Sequence, residues 1–311
     1  MAINMKGKSV LSIHDLTIEE VEQIFDVART LKLERIVGKL VNPILAGKTL
    51  AMIFEKPSTR TRLSFDIAMH ELGGHPIYLS SNDLQLARGE SIADTAKVLS
   101  RYVHGIMARV FQHQKLVDLA RYGSVPVVNG LSDLLHPCQV LADLFTIREK
   151  FGSFCGRKLV YMGDGANNMA NSLIEGCAKV GMDCVICTPK GDLPDKGVWE
   201  NALQDAELTG ATIEVSHDPI EAVQNSDVIY SDVWASMGQE AEHAERVKRM
   251  MPYQVTPKLM EVSGGAIFMH CLPAHRGEEV VDEVVDAPYS IVFDEAENRL
   301  HVQKAVLALV L

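Results

Sequence analysis

Short apolar runs alternate with longer amphipathic stretches along the whole chain. In the first half, strands are predicted by "TLAMIF", "PIYLS", "GIMARV" and "VPVVNG", with helical periodicity between them. The alternation restarts in the second half with "KLVYMG", "DCVICT", "TIEVSH", "DVIYSD", "AIFMHC" and "SIVFDE". Regular alternation of strand and helix is typical of a parallel sheet covered by helices. The pattern therefore predicts an α/β protein with two doubly wound parallel-sheet domains.

Helical stretches are predicted to join the two domains. The segment from His136 to Lys150 has no glycine, and no proline after Pro137. We place the domain boundary after it, which assigns residues 1–150 to the first domain and 151–295 to the second. The last stretch, 296–311, predicts one amphipathic helix that packs back on the first domain.

Distinctive polar residues follow several of the predicted strands. They are the cluster after "AMIF", Arg109 after "GIMA", "GDGANN" after "LVYM", Asp232 after "VIYS" and Cys271 after "AIFMH". In open parallel sheets, ligands bind beyond the carboxyl ends of the strands. These placements predict one active site in the cleft between the domains.

Composition narrows the class of partner. The 311 residues carry a formal net charge of −11 with no block of like charges, which disfavours binding to a nucleic-acid backbone. No run of about 18 apolar residues occurs, and the N-terminus lacks the apolar core of a secretory signal. We therefore expect a cytoplasmic protein with no membrane partner.

The stretch "FEKPSTRTRLSF" lies between a strand and a helix, where free backbone N–H groups favour an anion. Ser58 or Thr59 can cap the helix, but a cap does not need two arginines. Arg60 and Arg62 face different sides of a helix, so we expect one to bind a ligand and the other to be structural or exposed. Because a guanidinium pairs with phosphate oxygens, a phosphate site is favoured over a simple cap.

Two further motifs carry candidate binding groups. In "HPCQ", His136 precedes the first helical turn and can donate to a carbonyl oxygen, while Gln139 can bind a small amide; a structural histidine is the alternative. In "GDGANNMANS", Asn168 stands where a dinucleotide fingerprint needs its last glycine, and the next strand ends without an acidic residue. A nicotinamide cofactor is therefore disfavoured. Asn167 and Asn168 either cap the helix or bind an amino acid.

An acidic residue and a thiol follow two later strands. Asp232 is suited to a turn or to a substrate ammonium group. Of the six cysteines, five are predicted to be packing thiols, and Cys271 alone is considered as a site residue. Cys184 and Cys187 point to opposite faces of a strand, which argues against a metal site or a redox dithiol.

Five motifs together resemble the aspartate/ornithine carbamoyltransferase family. They are "FEKPSTRTRLSF", "HPCQ", "DVWASMG", "HCLPAHRGEE" and "EAENRLHVQKA", in this order over nearly the whole chain. The "SMG" and "HCLP" stretches resemble the ornithine branch. The resemblance implies transfer of the carbamoyl group of carbamoyl phosphate to the side-chain amine of ornithine, giving citrulline and phosphate, with neither a cofactor nor a metal.

The resemblance also implies the site residues. Carbamoyl phosphate would contact Ser58, Thr59, Arg60, Thr61, Gln85, Arg109, His136, Pro137, Cys138, Gln139, Cys271, Leu272 and Arg299. Ornithine would contact Asn168, Asp232, Ser236 and Met237. Catalysis would rest on Arg109, His136 and Cys271, with either Cys271 or a phosphate oxygen handling the proton of the attacking amine.

The family further implies a homotrimer, or a multiple of trimers, in which Gln85 reaches the site of a neighbouring chain. The reaction would serve arginine biosynthesis or run in reverse in arginine catabolism. Two alternatives remain at this point. One is a sister carbamoyltransferase that uses putrescine, acetylornithine or aspartate; the other is a relative that has lost catalysis.

Overall fold

A computed structural model describes residues 2–80, 89–234 and 243–311. The chain divides into two compact units. Unit 1 comprises residues 1–145 and 297–311, and unit 2 comprises residues 146–296. Each unit contains one parallel sheet with helices beside it, which confirms the predicted two-domain α/β fold.

Unit 1 is built on a four-stranded parallel sheet with the order β2-β1-β3-β4. Its strands are β1 (Thr49–Phe54), β2 (His75–Ser80), β3 (Gly105–Arg109) and β4 (Val127–Leu131). Its helices are α1 (Ile18–Ile36), α2 (Thr59–Glu71), α3 (Ile92–Tyr102) and α4 (His113–Tyr122). Helix α5 (Pro137–Phe151) begins in unit 1 and contains the boundary with unit 2.

The two central strands of unit 1 are apolar throughout because both of their faces are buried. All residues of β3 are buried, and so is β1 from Leu50 to Phe54. Parallel sheets covered on both faces have such continuous apolar runs. Their side chains pack with α3 and α4 in one apolar cluster that includes Ala51, Ile106 and Leu116.

Unit 2 is built on a five-stranded parallel sheet with the order β7-β6-β5-β8-β9. Its strands are β5 (Lys158–Met162), β6 (Asp183–Cys187), β7 (Ile213–Ser216), β8 (Val228–Ser231) and β9 (Ile267–His270). Its helices are α6 (Asn168–Val180), α7 (Lys196–Thr209), α8 (Pro219–Val223), α9 (His243–Met250), α10 (Pro257–Ser263) and α11 (Asp282–Val285). A short 3-10 helix, Met251–Tyr253, follows α9.

The last helix, α12 (Val292–Val310), carries buried polar groups. Within unit 1, Lys304 Nζ donates to Glu71 Oε2 at 2.6 Å, and Lys32 Nζ donates to Asn298 Oδ1 at 2.8 Å. Buried charges need such partners. None of the helices in the described residues, α12 included, is long and apolar enough to cross a membrane.

Two predictions from the sequence are wrong. The stretch "SIVFDE" is not a strand: α12 begins at Val292, and only an isolated bridge joins Ser290 to Phe268. Its four apolar or small residues before the acidic pair fit a strand as well as the first turn of a helix. Cys155 is exposed, so it is not a packing thiol.

Both sheets have a point at which the strand order reverses. In unit 1 it lies between β1 and β3, where Phe54 pairs with Arg109. In unit 2 it lies between β5 and β8, where Met162 pairs with Ser231. The crevice beyond the strand ends at such a point is the usual ligand site of this kind of fold. Of the polar residues singled out from the sequence, the cluster after β1, Arg109, "GDGANN" and Asp232 lie at these four strand ends, while Cys271 follows β9.

Candidate functional site

In unit 1, the turn after β1 forms the start of α2. Ser58 is the N-cap residue, and its hydroxyl accepts from the backbone N–H of Thr61 at 3.2 Å. Thr59 is exposed, whereas Thr61 is fully buried and its Oγ1 accepts from Arg299 Nη2 at 3.1 Å. The cap and the contact with Arg299 bring the first turn of α2 next to α12.

The two arginines of this turn have different surroundings. The guanidinium of Arg62 lies over the ring of Tyr78, 4.1 Å from its centroid, in a cation–π contact. Arg60 is half-buried, and its charge acts on His136. Arg62 is therefore engaged with the protein, while Arg60 belongs to the group around His136.

His136 is the centre of a cationic group. Its side chain is 4% exposed, and burial lowers the pKa of its imidazole well below the ordinary value, with further lowering from the charges of Arg299, Arg109 and Arg60. These arginines come from α12, the end of β3 and α2. Since the imidazole is neutral at pH 7, it can donate or accept a hydrogen bond but adds no charge.

Gln139 is oriented by a residue that the sequence did not point to. Gln139 Nε2 donates to Asp143 Oδ1 at 2.8 Å, and both side chains are fully or almost fully buried. An ionised carboxylate only accepts, so this contact fixes which end of the amide is nitrogen. Gln139 Oε1 is thus the atom suited to accept from a ligand N–H. The signal available in the sequence was the spacing of four residues between Gln139 and Asp143, which places them on the same face of one helix.

The other residues of "HPCQ" have simple placements. Pro137 is the first residue of α5. Cys138 is fully buried, and burial raises the pKa of its thiol to about 12, so the thiol is neutral at pH 7. Neither Pro137 nor Cys138 has a charged side chain at pH 7.

In unit 2, Asn167 caps α6 and contacts Asp232. Asn167 Oδ1 accepts from the Ala170 N–H at 2.8 Å, while Nδ2 donates to Tyr161 Oη at 2.7 Å and to Asp232 Oδ2 at 3.3 Å. The neighbouring Asn168, predicted to bind ornithine, is half-buried at the first position of α6. The capping role left open for the pair therefore falls to Asn167, and the binding of an amino acid stays a prediction.

Asp232 and Cys271 are joined directly. Cys271 Sγ donates to Asp232 Oδ1 at 3.0 Å, and the same oxygen accepts from the Val233 N–H at 2.8 Å. Burial raises the pKa of the Asp232 carboxyl, and the hydrogen bonds from Cys271 and the Val233 N–H oppose this effect. A buried carboxylate of this kind gains most from a cationic partner.

The glycines of "GDGANN" are explained by packing. A Cβ on Gly165 would lie 2.4 Å from the carbonyl oxygen of Asp192, and one on Gly163 would lie 3.3 Å from the ring of Trp234. Gly163 also has a φ of 139°, which L side chains rarely adopt. These glycines serve close approach of the backbone within unit 2.

Two groups of potential metal ligands occur among the described residues. Asp232, His270 and Cys271 form one, and His275, Glu278 and Glu279 form the other, each with ligand atoms within 4.8 Å of one another. In the first, the thiol already donates to Asp232, and both imidazole nitrogens of His270 contact protein groups. The hydrogen bonds account for the first group without an ion.

Three residues predicted to bind substrate, Gln85, Ser236 and Met237, lie outside the described residues. The remaining ones fall into two sets. Unit 1 contains the start of α2, Arg109, His136, Gln139 and Arg299. Unit 2 contains Asn168, Asp232, Cys271 and Leu272, of which Asp232 and Cys271 are in contact.

Comparisons with known proteins identify the family of the two halves of the chain. Residues 8–149 match the carbamoyl-P binding domain of aspartate/ornithine carbamoyltransferases, and residues 155–310 match their Asp/Orn binding domain. Ornithine carbamoyltransferase of Thermococcus kodakarensis is 57% identical over 312 residues, which cover 100% of this chain and 98% of that protein.

Solved structures give the same result. Ornithine carbamoyltransferase from Pyrococcus furiosus superposes with a TM-score of 0.95 at 55% identity, covering 99% of this chain and 98% of that one. A mutant N-acetyl-L-ornithine transcarbamylase complexed with PALAO has a TM-score of 0.88 at 31% identity, covering 98% of this chain and 100% of that one. The resemblance read from the motifs is confirmed: the chain belongs to the aspartate/ornithine carbamoyltransferase family.

Proposed function

We propose that this protein transfers the carbamoyl group of carbamoyl phosphate to the side-chain amine of L-ornithine, giving L-citrulline and phosphate. The observation that carries the proposal is the gathering of Arg60, Arg109 and Arg299 around a buried, neutral His136 in a chain of this family. Three cations beside one neutral hydrogen-bonding group suit a small anion that also has a carbonyl oxygen.

The phosphate end of carbamoyl phosphate is assigned to the start of α2. Ser58, Thr59, Arg60 and Thr61 supply hydroxyl and guanidinium donors there, and the helix N-terminus adds its positive end. Arg299, which donates to Thr61, supports the same ligand.

The carbamoyl end is assigned to Arg109, His136 and Gln139. The contact with Asp143 orients the Gln139 amide, and its Oε1 is assigned to accept from the carbamoyl nitrogen. Attack on the carbonyl carbon builds negative charge on its oxygen. Donors from Arg109 and His136 then interact more strongly with the transition state than with the ground state, which is the main catalytic contribution.

Unit 2 is assigned to the acceptor. The buried Asp232 carboxylate receives an ammonium group of ornithine, with Asn168, Ser236 and Met237 at the amino-acid end. The attacking amine must be neutral, whereas a lysine-like amine has an ordinary pKa of about 10.4. Because the Cys271 proton is directed to Asp232, the sulfur lone pairs can accept an amine N–H and orient it.

No covalent intermediate is needed. Phosphate is a competent leaving group, and the two substrates chiefly have to be held in line. The Pyrococcus furiosus relative is named anabolic, which supports the direction of synthesis and a place in arginine biosynthesis. The cytoplasmic location stays a prediction from the sequence.

We also propose a homotrimer, or a multiple of trimers, in which Gln85 serves carbamoyl phosphate held by a neighbouring chain. The support is the family membership together with the position of Gln85 in the polar stretch after β2.

The choice of acceptor is tested by incubating the protein with carbamoyl phosphate and each of ornithine, acetylornithine, putrescine and aspartate. We expect carbamoylated product from ornithine at a kcat/KM at least about 10²-fold above any other amine, since a site built for two charged ends rejects analogues that lack one. A faster reaction with another amine would replace ornithine as the substrate. No product from any amine would remove the proposed activity.

The neutral state of His136 predicts a dependence of stability on pH. The folded-state pKa lies well below the ordinary value of about 6.5, so below that pH the unfolded chain binds the extra proton and stability falls. Between pH 6.5 and 5, the unfolding free energy of His136→Gln should change less steeply with pH than that of wild type, by up to about 1.4 kcal/mol per pH unit. The control is His75→Gln, because His75 is exposed. Equal slopes for wild type and His136→Gln, measured by urea unfolding, would contradict the neutral state.

Sharing of sites is tested with two inactive variants, Arg60→Ala and Gln85→Ala. When they are dissociated together and reassembled at random, about a quarter of the sites of a cyclic trimer carry both native residues, and activity returns to about that level. Each variant reassembled alone should stay inactive. Hybrids that form, as shown by a tag on one chain, yet remain inactive would show that Gln85 does not act across subunits.

A further inference from the structure

We propose that His270 is a positioning residue for the Cys271–Leu272 segment, held in one tautomer by Glu279. The inference rests on the proposed function, which places this segment beside the reacting amine. His270 is the last residue of β9, and both of its imidazole nitrogens contact protein groups, Glu279 and the Leu272 N–H. Its effect on the reaction must pass through the residues that follow it.

Hydrogen bonding defines the state of the imidazole. The backbone N–H of Leu272 donates to His270 Nδ1 at 2.9 Å. A backbone N–H can only donate, so Nδ1 carries no proton. The proton of the neutral ring is then on Nε2, which donates to Glu279 Oε1 at 3.2 Å.

The partners of His270 are themselves fixed. Glu279 is fully buried, and its Oε1 also accepts from the His275 N–H at 2.5 Å. On the backbone side, the His270 N–H donates to Glu295 Oε2 at 2.9 Å, and Tyr230 Oη donates to Glu295 Oε1 at 3.0 Å. The imidazole therefore has a single orientation, with Nδ1 directed at Leu272.

Leu272 is the residue that needs this support. Its φ is 55°, in the left-handed region that bulky residues avoid. Such a conformation persists only where the surrounding structure imposes it, and it is common at active sites. The bond from Leu272 N–H to His270 Nδ1 supports this conformation.

Cys271 lies between these two residues. Its backbone is fixed on one side by β9 and on the other by the Leu272 contact, and its Sγ donates to Asp232 Oδ1 at 3.0 Å. Without the contact at Leu272, the segment can leave the left-handed conformation and turn the thiol away. His270 thus determines the positions of Cys271 Sγ and of the Leu272 backbone.

Two substitutions at His270 separate positioning from simple support of the core. In His270→Asn, the side-chain oxygen takes the place of Nδ1 and can accept from Leu272. In His270→Gln, the polar group takes the place of Nε2 and can contact Glu279 but not Leu272. Tyr230→Phe is the matched control, because it removes one buried hydrogen bond of the same network without touching the Cys271–Leu272 segment.

The first readout is kinetic. We expect His270→Gln to lower kcat by about 10²-fold, the scale of a small misplacement of reacting groups. His270→Asn should stay within about threefold of wild type. Tyr230→Phe should lower the melting temperature by a few degrees at unchanged kcat. Equal kcat values for His270→Asn and His270→Gln would overturn the positioning role.

The second readout does not depend on activity. The rate of alkylation of Cys271 by iodoacetamide is measured by mass spectrometry relative to that of the exposed Cys155. The ratio should rise several-fold in His270→Gln and stay unchanged in His270→Asn and Tyr230→Phe. An unchanged ratio in His270→Gln would overturn the inference. A raised ratio in a protein that forms no citrulline would support the positioning and remove the proposed function.

If His270→Gln does not fold, the Glu279 variants provide the same test. Glu279→Gln keeps an oxygen that accepts from His270 Nε2 and should preserve kcat and the alkylation ratio. Glu279→Leu removes the group that fixes the tautomer and should change both in the direction expected for His270→Gln. Identical behaviour of the two Glu279 variants would contradict the proposed role.

Discussion

The structure of unit 1 depends on holding like charges together around a group that must stay neutral. Arg60, Arg109 and Arg299 lie close enough to His136 that each lowers its pKa, although they come from α2, β3 and α12. Mutual repulsion opposes this arrangement, so it needs a rigid scaffold. The paired ends of β1 and β3 and the bond from Arg299 to Thr61 provide it. An anion bound at the centre would relieve the repulsion.

Unit 2 has the opposite electrostatic problem. There a carboxylate, Asp232, is buried, and burial raises its pKa. Asn167 and Cys271 donate to it, but neither supplies a positive charge. An ammonium group of a ligand would supply that charge. The two units thus favour ligands of opposite charge, which fits one substrate that carries a phosphate and another that carries amines.

Much of the fold could be predicted because its central strands are buried on both faces. The runs that became β1, β3, β5 and β8 are largely apolar and almost wholly buried. The order of strands with intervening helices identifies parallel sheets even though β2 and β7 are more exposed. The prediction of a strand for "SIVFDE" was wrong because a short apolar run does not distinguish a strand from the first turn of a helix.

The candidate site was predictable where its residues follow strand ends in known motifs. Asp143, Glu279 and the role of His270 were not predicted, since these residues act on their neighbours through buried hydrogen bonds, and the only pattern was the spacing of four residues between Gln139 and Asp143. Only the coordinates show that a carboxylate sets the orientation of Gln139 and another sets the tautomer of His270. Motifs therefore locate the candidate site residues, while the fold determines how those residues are oriented.

The central claim is that the cations of unit 1 are assembled for a phosphate-bearing ligand. The most direct test is the melting temperature of the whole chain titrated, without ornithine, with a hydrolysis-resistant phosphonate analogue of carbamoyl phosphate at constant ionic strength. A ligand that binds only the folded state raises stability with ligand concentration, so we predict a rise in wild type and in Arg62→Ala, where the lost contact is with Tyr78. In Arg60→Ala the rise should need at least about tenfold more ligand, since one charge-assisted contact is lost. If the analogue raises the wild-type melting temperature no more than sodium chloride does, the account is contradicted.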